Sequence, residues 1–201
     1  NIKVPFYTSI YNQEELLNKI KLYIDKYKEM VIKPAVSRGG RNIIIINKNN
    51  YKKYTQNDFY IKKFIKLYPL ILMEKLLEPI YDIDLLSMKG KLIRGLVRRR
   101  LDPSNPNNGH IIEENKYLYQ LANKICSTFN LSWLYDCDIM MGENGLAYIL
   151  EVNPRPSGSL AISYLSGMDY IEDMIAIIKK EKLNKVSPPE NKIIVPYKSL
   201  I

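Results

Sequence analysis

The run Ala147-Tyr148-Ile149-Leu150-Glu151-Val152-Asn153-Pro154-Arg155 carries an apolar stretch into three polar side chains at every second position. Along a strand alternate side chains face one way, so Glu151 and Asn153 share a face at the strand's end. Asp138 lies in the preceding apolar stretch, Leu134–Met140. Gly142-Glu143-Asn144-Gly145 folds that stretch back onto Ala147–Val152 as a hairpin. Asp138, Glu151 and Asn153 then offer oxygen alone, from few ligands. That set suits Mg²⁺, which keeps waters and takes the rest of its shell from phosphates. Arg155 can reach a phosphate oxygen beside such a metal, and Asp136 faces the same way as Asp138 and supports it. Any one of these residues alone reads as an ordinary strand-end charge. As a group, with Pro154 stiffening the Asn–Arg turn, they read as a functional site.

Three weaker signals precede it. Lys33 interrupts the apolar strand Met30–Pro34, and a lysine there is costly unless an anion meets it. The segment Ser37-Arg38-Gly39-Gly40-Arg41-Asn42 follows, and its paired glycines allow backbone N–H groups to approach a phosphate. No Gly-Lys-Ser/Thr follows, so this is not the Walker pattern, and a plain turn is an equal reading. Next, Leu72-Met73-Glu74-Lys75-Leu76-Leu77 is an apolar strand ending in an acid and a base. Such an edge can read adenine, with Glu74 or a carbonyl taking the amine and leucine packing the ring, or it is simply an exposed strand end. Last, Arg98-Arg99-Arg100 places Arg98 and Arg100 on one face, able to bind a substrate anion or a phosphoryl group in transfer. His110, the single histidine, follows an Asn-rich stretch and is read as a surface residue.

The elements that must carry these residues read as α+β. Asn12-Gln13-Glu14-Glu15 has the form of a capping box opening a helix with Leu16, Leu17, Ile20, Ile24 and Tyr27 at helical spacing. Met30–Pro34, Ile43–Ile46 and Leu70–Lys75 read as strands, and Asp58–Leu67 as a helix. Tyr81–Met88 and Leu92–Val97 flank Lys89-Gly90-Lys91 as another hairpin. Asp102–Gly109 is a loop, Glu113–Phe129 and Tyr170–Lys182 are helices, and Asn153–Ser159 is a Pro/Gly loop. The expected division is a first lobe over 1–70 with the glycine-rich segment, and a second over 71–201 with the metal residues and a larger, mostly antiparallel sheet.

The 201 residues are 46% hydrophobic and 25% charged, enough for a proper core. That composition excludes a disordered tail, a collagen or a disulfide scaffold. Apolar runs such as Ile43–Ile46 are far too short to cross a bilayer, so no membrane role is expected. Lys and Arg total 30 against 21 acids, a net charge of +9. The lysines fall mostly on helical stretches and read as solvated faces. The 16 tyrosines are spread too evenly to line a nucleic-acid groove. Cys126 and Cys137 fit no zinc spacing and read as reduced core residues of a cytoplasmic protein.

In this order the four signals resemble the ATP-grasp superfamily, in the branch of the carbamoyl-phosphate synthase large subunit and more distantly D-alanine–D-alanine ligase. The resemblance runs from about Val4 to Ile178 and is most specific at Leu150–Ser159. It implies an ATP-grasp fold, with two α+β lobes of mostly antiparallel sheet clamping ATP. It further implies Lys33 near the α-phosphate, Arg38, Gly39 and Gly40 at a flap over the phosphates, and Glu74, Lys75, Leu76 and Leu77 around adenine. Asp138, Glu151 and Asn153 would hold Mg²⁺. Arg155, with Arg98 and Arg100, would be catalytic, stabilising the phosphoryl group. The implied activity is a carbon–nitrogen ligase that activates a carboxylate as an acyl phosphate for attack by an amine. The alternative is an ATP-binding module or subunit without ligase activity of its own. Where the family has Gly and then Glu for the ribose, this chain has Glu78-Pro79-Ile80. The family's N-terminal Rossmann-like domain is absent, and the chain starts at Asn1, so a missing domain or partner subunit is expected.

Overall fold

The computed structural model describes residues 2–36, 41–186 and 191–196. It divides into two compact units, Pro5–Leu76 and a larger one made of 1–4 with 77–201. The boundary expected after residue 70 falls after Leu76 instead. The reason is pairing: Leu70–Glu74 is hydrogen-bonded to two strands of the smaller unit. The first residues join the larger unit, where Ile149 N–H donates to the Lys3 carbonyl at 3.0 Å.

In the smaller unit the order is β1 (Tyr7–Ile10), α1 (Gln13–Tyr23), β2 (Met30–Pro34), β3 (Ile44–Ile46), α2 (Tyr51–Gln56), α3 (Asp58–Ile65) and β4 (Leu70–Glu74). The four strands form an antiparallel sheet in the order β1-β4-β2-β3. α1 begins as its sequence predicts: Asn12 Oδ1 accepts from Glu15 N–H at 2.9 Å. Glu15 returns not to Asn12's backbone but one residue earlier, to Tyr11 N–H at 3.0 Å. Ile10, Leu16, Ile20, Met30, Ile32, Ile46, Phe64, Leu70 and Leu72 make the core. β2 alternates in period two, burying Met30, Ile32 and Pro34 and leaving Val31 and Lys33 half-buried on the other face.

The larger unit contains β5 (Leu77–Met88), β6 (Lys91–Arg100), β7 (His110–Ile112), α4 (Lys116–Thr128), β8 (Trp133–Met141), β9 (Ala147–Asn153), α5 (Leu160–Leu165), α6 (Tyr170–Lys179) and β10 (Ile193–Ile194). Its six strands run antiparallel in the order β10-β7-β6-β5-β8-β9. Both predicted hairpins form. Lys89 and Gly90 turn the first with φ of 49° and 76°, the left-handed pair that matches strand twist. One sheet face carries Tyr81, Ile83, Leu85, Cys137, Ile139 and Ile149 against Leu118, Leu121, Ala122 and Ile125 of α4. The other packs Leu86, Leu96 and Leu134 under Ile162, Met168 and Tyr170. Among the described residues no helix is long and apolar enough to cross a membrane.

Candidate functional site

The site residues ride on the second face of the larger sheet, and a β-bulge puts them there. β8 and β9 pair as Asp136↔Asn153, Cys137↔Val152 and Asp138↔Glu151, then jump to Ile139↔Ile149, leaving Leu150 without a partner. Ile149 and Glu151 are two apart, so a regular strand would show both to one face. The extra residue turns Glu151 to the opposite side while Ile149 stays in the core. Asp136, Asp138, Glu151 and Asn153 are thereby brought onto one face as two directly opposed pairs. Directly opposed residues lie about 4.5–5.5 Å apart at Cα. Glu151 is exposed; Asp138 and Asn153 are half-buried.

The neighbouring strands extend this polar face. β5 sets Asp82 opposite both Arg98 and Asp138, and Asp84 opposite Asp136. β7 sets His110 opposite Arg100. Arg100 Nε donates to both Asp82 oxygens at 3.0 Å. Its Nη2 donates to Asp82 Oδ1 as well, and to Asp138 Oδ2 at 2.9 Å. His110 Nε2 lies 2.6 Å from Asp82 Oδ2. Asp82, Asp136 and Asp138 each offer an oxygen within 4.8 Å of the others. The charges of this cluster shift one another. Burial would raise Asp82, but the hydrogen bonds from His110 and Arg100 and the arginine charges hold it well below the usual carboxylate range. Burial raises Asp138 to about 7; Arg100 lowers it, but repulsion from Asp82 and Asp136 adds to the rise. Burial, then Asp84 and Asp82, raise Asp136 to about 6. The buried Asp136 Oδ1 has no hydrogen-bond partner among the described residues.

The expected catalytic arginines differ in setting. Arg155 is open, its side chain 55% exposed and only 3.5 Å from Asp136 Oδ2. Arg98 is wholly interior, in place of the anion-facing position expected of it. Its Nη2 donates to Asp84 Oδ1 at 2.9 Å, and its Nη1 to Ser159 Oγ at 2.6 Å. Ser163 Oγ donates to the other Asp84 oxygen. Arg98 thus braces the loop after Arg155 against the sheet. Arg100 is committed to two carboxylates, and Arg99, on the other face as predicted, pairs with Glu113. His110 is not at the surface: it is fully buried, because β7 pairs with the end of β6 and carries it inward.

In the smaller unit, Glu74 Oε1 accepts from Phe6 N–H at 2.7 Å and Lys75 Nζ lies 2.6 Å from Glu29 Oε2. Leu76 is buried, and Leu77, which belongs to the larger unit, is exposed. Arg38, Gly39 and Gly40 lie outside the described residues. Sequence reasoning missed Asp82, Asp84 and His110. The signal for the two acids was present: carboxylates at alternate positions of the apolar Ile80–Leu86 run need buried cations, and the hairpin supplies arginines at the same spacing. A cavity of about 560 Å³ beside Gly95, Asn115 and Tyr119 includes none of these residues.

The fold is that of the ATP-grasp enzymes, α+β with antiparallel sheets of four and six strands. N5-carboxyaminoimidazole ribonucleotide synthetase in its ADP complex is 16% identical, covering 96% of this chain and 51% of its own, with a TM-score of 0.65. Biotin carboxylase from Campylobacter jejuni, in a β,γ-ATP complex, is 16% identical, covering 92% and 44%, with a TM-score of 0.66. The ATP-grasp ligase PsnB, bound to a phosphomimetic variant of its minimal precursor, Mg and ADP, is 14% identical, covering 90% and 54%, with a TM-score of 0.60. The chain therefore spans about half the length of these structures. No curated protein matches it in sequence. Residues 66–199 match the family model "ATP-grasp in the biosynthetic pathway with Ter operon", and the chain belongs to that family.

Proposed function

We propose that this chain is the ATP-binding part of a ligase that joins a carboxylate to an amine, in the manner of the carbamoyl-phosphate synthase-like branch. One observation carries the reading: the bulged β8–β9 register that gathers Asp138, Glu151 and Asn153 on one face beside the open Arg155. The donor set fits a hard cation, being oxygen only and few in number, with Glu151 exposed to receive it. Mg²⁺ held there would offset charge on the β- and γ-phosphates. Arg155, whose Nη1 donates to the adjacent Pro156 carbonyl at 2.8 Å and more distantly to Asp136 Oδ2 at 3.5 Å, swings from these to the phosphoryl oxygens. The γ-phosphoryl group passes to a carboxylate oxygen as its bond to ADP breaks. The amine nitrogen then attacks the acyl carbon and expels phosphate. Lys33 is assigned to the α-phosphate, Arg38, Gly39 and Gly40 to the flap, and Glu74, Lys75, Leu76 and Leu77 to adenine, each on the resemblance alone. The buried Arg98 and the clamped Arg100 serve as positioning residues.

The half-length match supports a second reading, a nucleotide-binding subunit that needs a further domain or partner for turnover. Titration calorimetry with Mg·ATP on the full chain tests the shared premise. Glu151→Gln should abolish the binding heat and leave the urea unfolding curve in place. Undiminished binding would remove the metal assignment. ADP release on adding a carboxylate and an amine separates the ligase from the bare subunit.

A further inference from the structure

We propose that Arg100 is a built-in counter-cation to Asp138, competing with the divalent metal and making metal binding depend on nucleotide. The inference rests on Asp138, Glu151 and Asn153 being the metal ligands. The three carboxylates of Asp82, Asp136 and Asp138 form what looks like a cation nest. Arg100 already occupies its Asp82–Asp138 side: the guanidinium bridges these two, Asp138 at 2.9 Å, and leaves Asp136 outside the bridge. A metal is thereby directed to the Glu151 side of Asp138 rather than into the cluster.

The clamp is asymmetric. Asp82 takes Nε through both its oxygens and Nη2 through one, and its other neighbour is the buried His110. Its side chain is 2% exposed, against 23% for Asp138. Asp82 therefore anchors Arg100, and Asp138 is the partner that can be released without leaving the guanidinium alone. A cation drawing on the Asp138 carboxylate must share it with this fixed positive charge, or part the two. A triphosphate arriving with the metal supplies the negative charge that the bare site lacks. Metal and nucleotide then assist each other's binding by the same factor.

Mn²⁺ binding to the full chain, followed by the loss of its free paramagnetic resonance signal, reads this directly. The titration is run with and without a non-hydrolysable ATP analogue. Arg100→Gln should bind Mn²⁺ about tenfold more tightly without nucleotide, about 1.4 kcal/mol, and the gain from nucleotide should shrink. Should Arg100→Gln fail to fold, Arg100→Lys carries the test. It keeps a charge for Asp82 but lacks the fork that reaches Asp138, and the same direction is expected. Glu151→Gln is the companion. If it binds Mn²⁺ as the parent does, the metal site itself is misplaced. If it loses Mn²⁺ while the Arg100 variants bind no more tightly, or more weakly, the counter-cation is overturned and the metal site stands. Adding Glu151→Gln to Arg100→Gln locates the gain: if the tight Mn²⁺ binding survives, the metal sits in the vacated Asp82–Asp136–Asp138 cluster and the counter-cation is overturned; if it is lost, the gain belongs to the Glu151 site.

Discussion

The interior pair Arg98–Asp84 gives the sharpest test of how this sheet is held. Both side chains are fully buried, 2.9 Å apart. Replacing Arg98 by Met keeps much of the stem's bulk but strands the Asp84 carboxylate, leaving Ser163 Oγ as its one side-chain donor among the described residues. Removing one partner of a buried ion pair costs about 3–5 kcal/mol. The lost bond to Ser159 adds to that cost, at about 1 kcal/mol. Replacing Asp84 by Asn as well removes the stranded charge and keeps an acceptor for Ser163. The double variant should therefore recover about 2 kcal/mol or more of the single loss, a clear departure from additivity. Trp133, the single tryptophan, lies on β8 of the same unit, so urea unfolding followed by its fluorescence reports the right transition. A loss below about 0.5 kcal/mol for Arg98→Met, the range of surface changes, would refute a buried, paired role. So would strict additivity in the double variant. An anion-binding arginine would instead register in ligand affinity with the unfolding curve unmoved.

Two further outcomes follow from packing. Gly109 holds φ at +110°, and a Cβ there would sit 2.9 Å from the Ile194 carbonyl oxygen. Gly109→Ala should therefore cost about 1–3 kcal/mol in the same unfolding assay, and an unchanged midpoint would show that the β7–β10 edge yields freely. Burial pushes the thiols of both Cys126 and Cys137 up, which suppresses the reactive thiolate. A disulfide reagent at pH 8 should label them only at the rate of unfolding; prompt labelling of the native chain would contradict the core packing.

Local chemistry made much of this legible from sequence. The Lys89-Gly90 and Gly142–Gly145 turns sit between alternating runs, so both hairpins could be read directly, and with them the shared face of Glu151 and Asn153; Asp138 joins that face only through the irregularity at Leu150, which alternation does not announce. The α1 cap was equally plain at Asn12. What escaped depended on partners far along the chain. His110 reads as surface after an Asn-rich loop, and only the pairing of β7 with Arg98–Arg100 carries it inside. The role of Arg98 turns on Ser159, sixty-one residues away, which no local pattern announces. The place of Leu70–Glu74 was likewise set by strands preceding it, which moved the division of the chain past Leu76.

The unpaired Leu150 has a consequence for anyone rebuilding this strand pair. A hairpin in perfect register can show either greasy side chains or oxygen donors at Ile149 and Glu151, never one of each. A one-residue deletion at Leu150 removes the irregularity altogether: it leaves Ile149 and Glu151 adjacent, opposite Ile139 and Asp138, so one still faces α4 and the other the donor face. Transplanting the ligands to another scaffold thus means either keeping Leu150 with its irregularity or dropping it and pairing a regular hairpin.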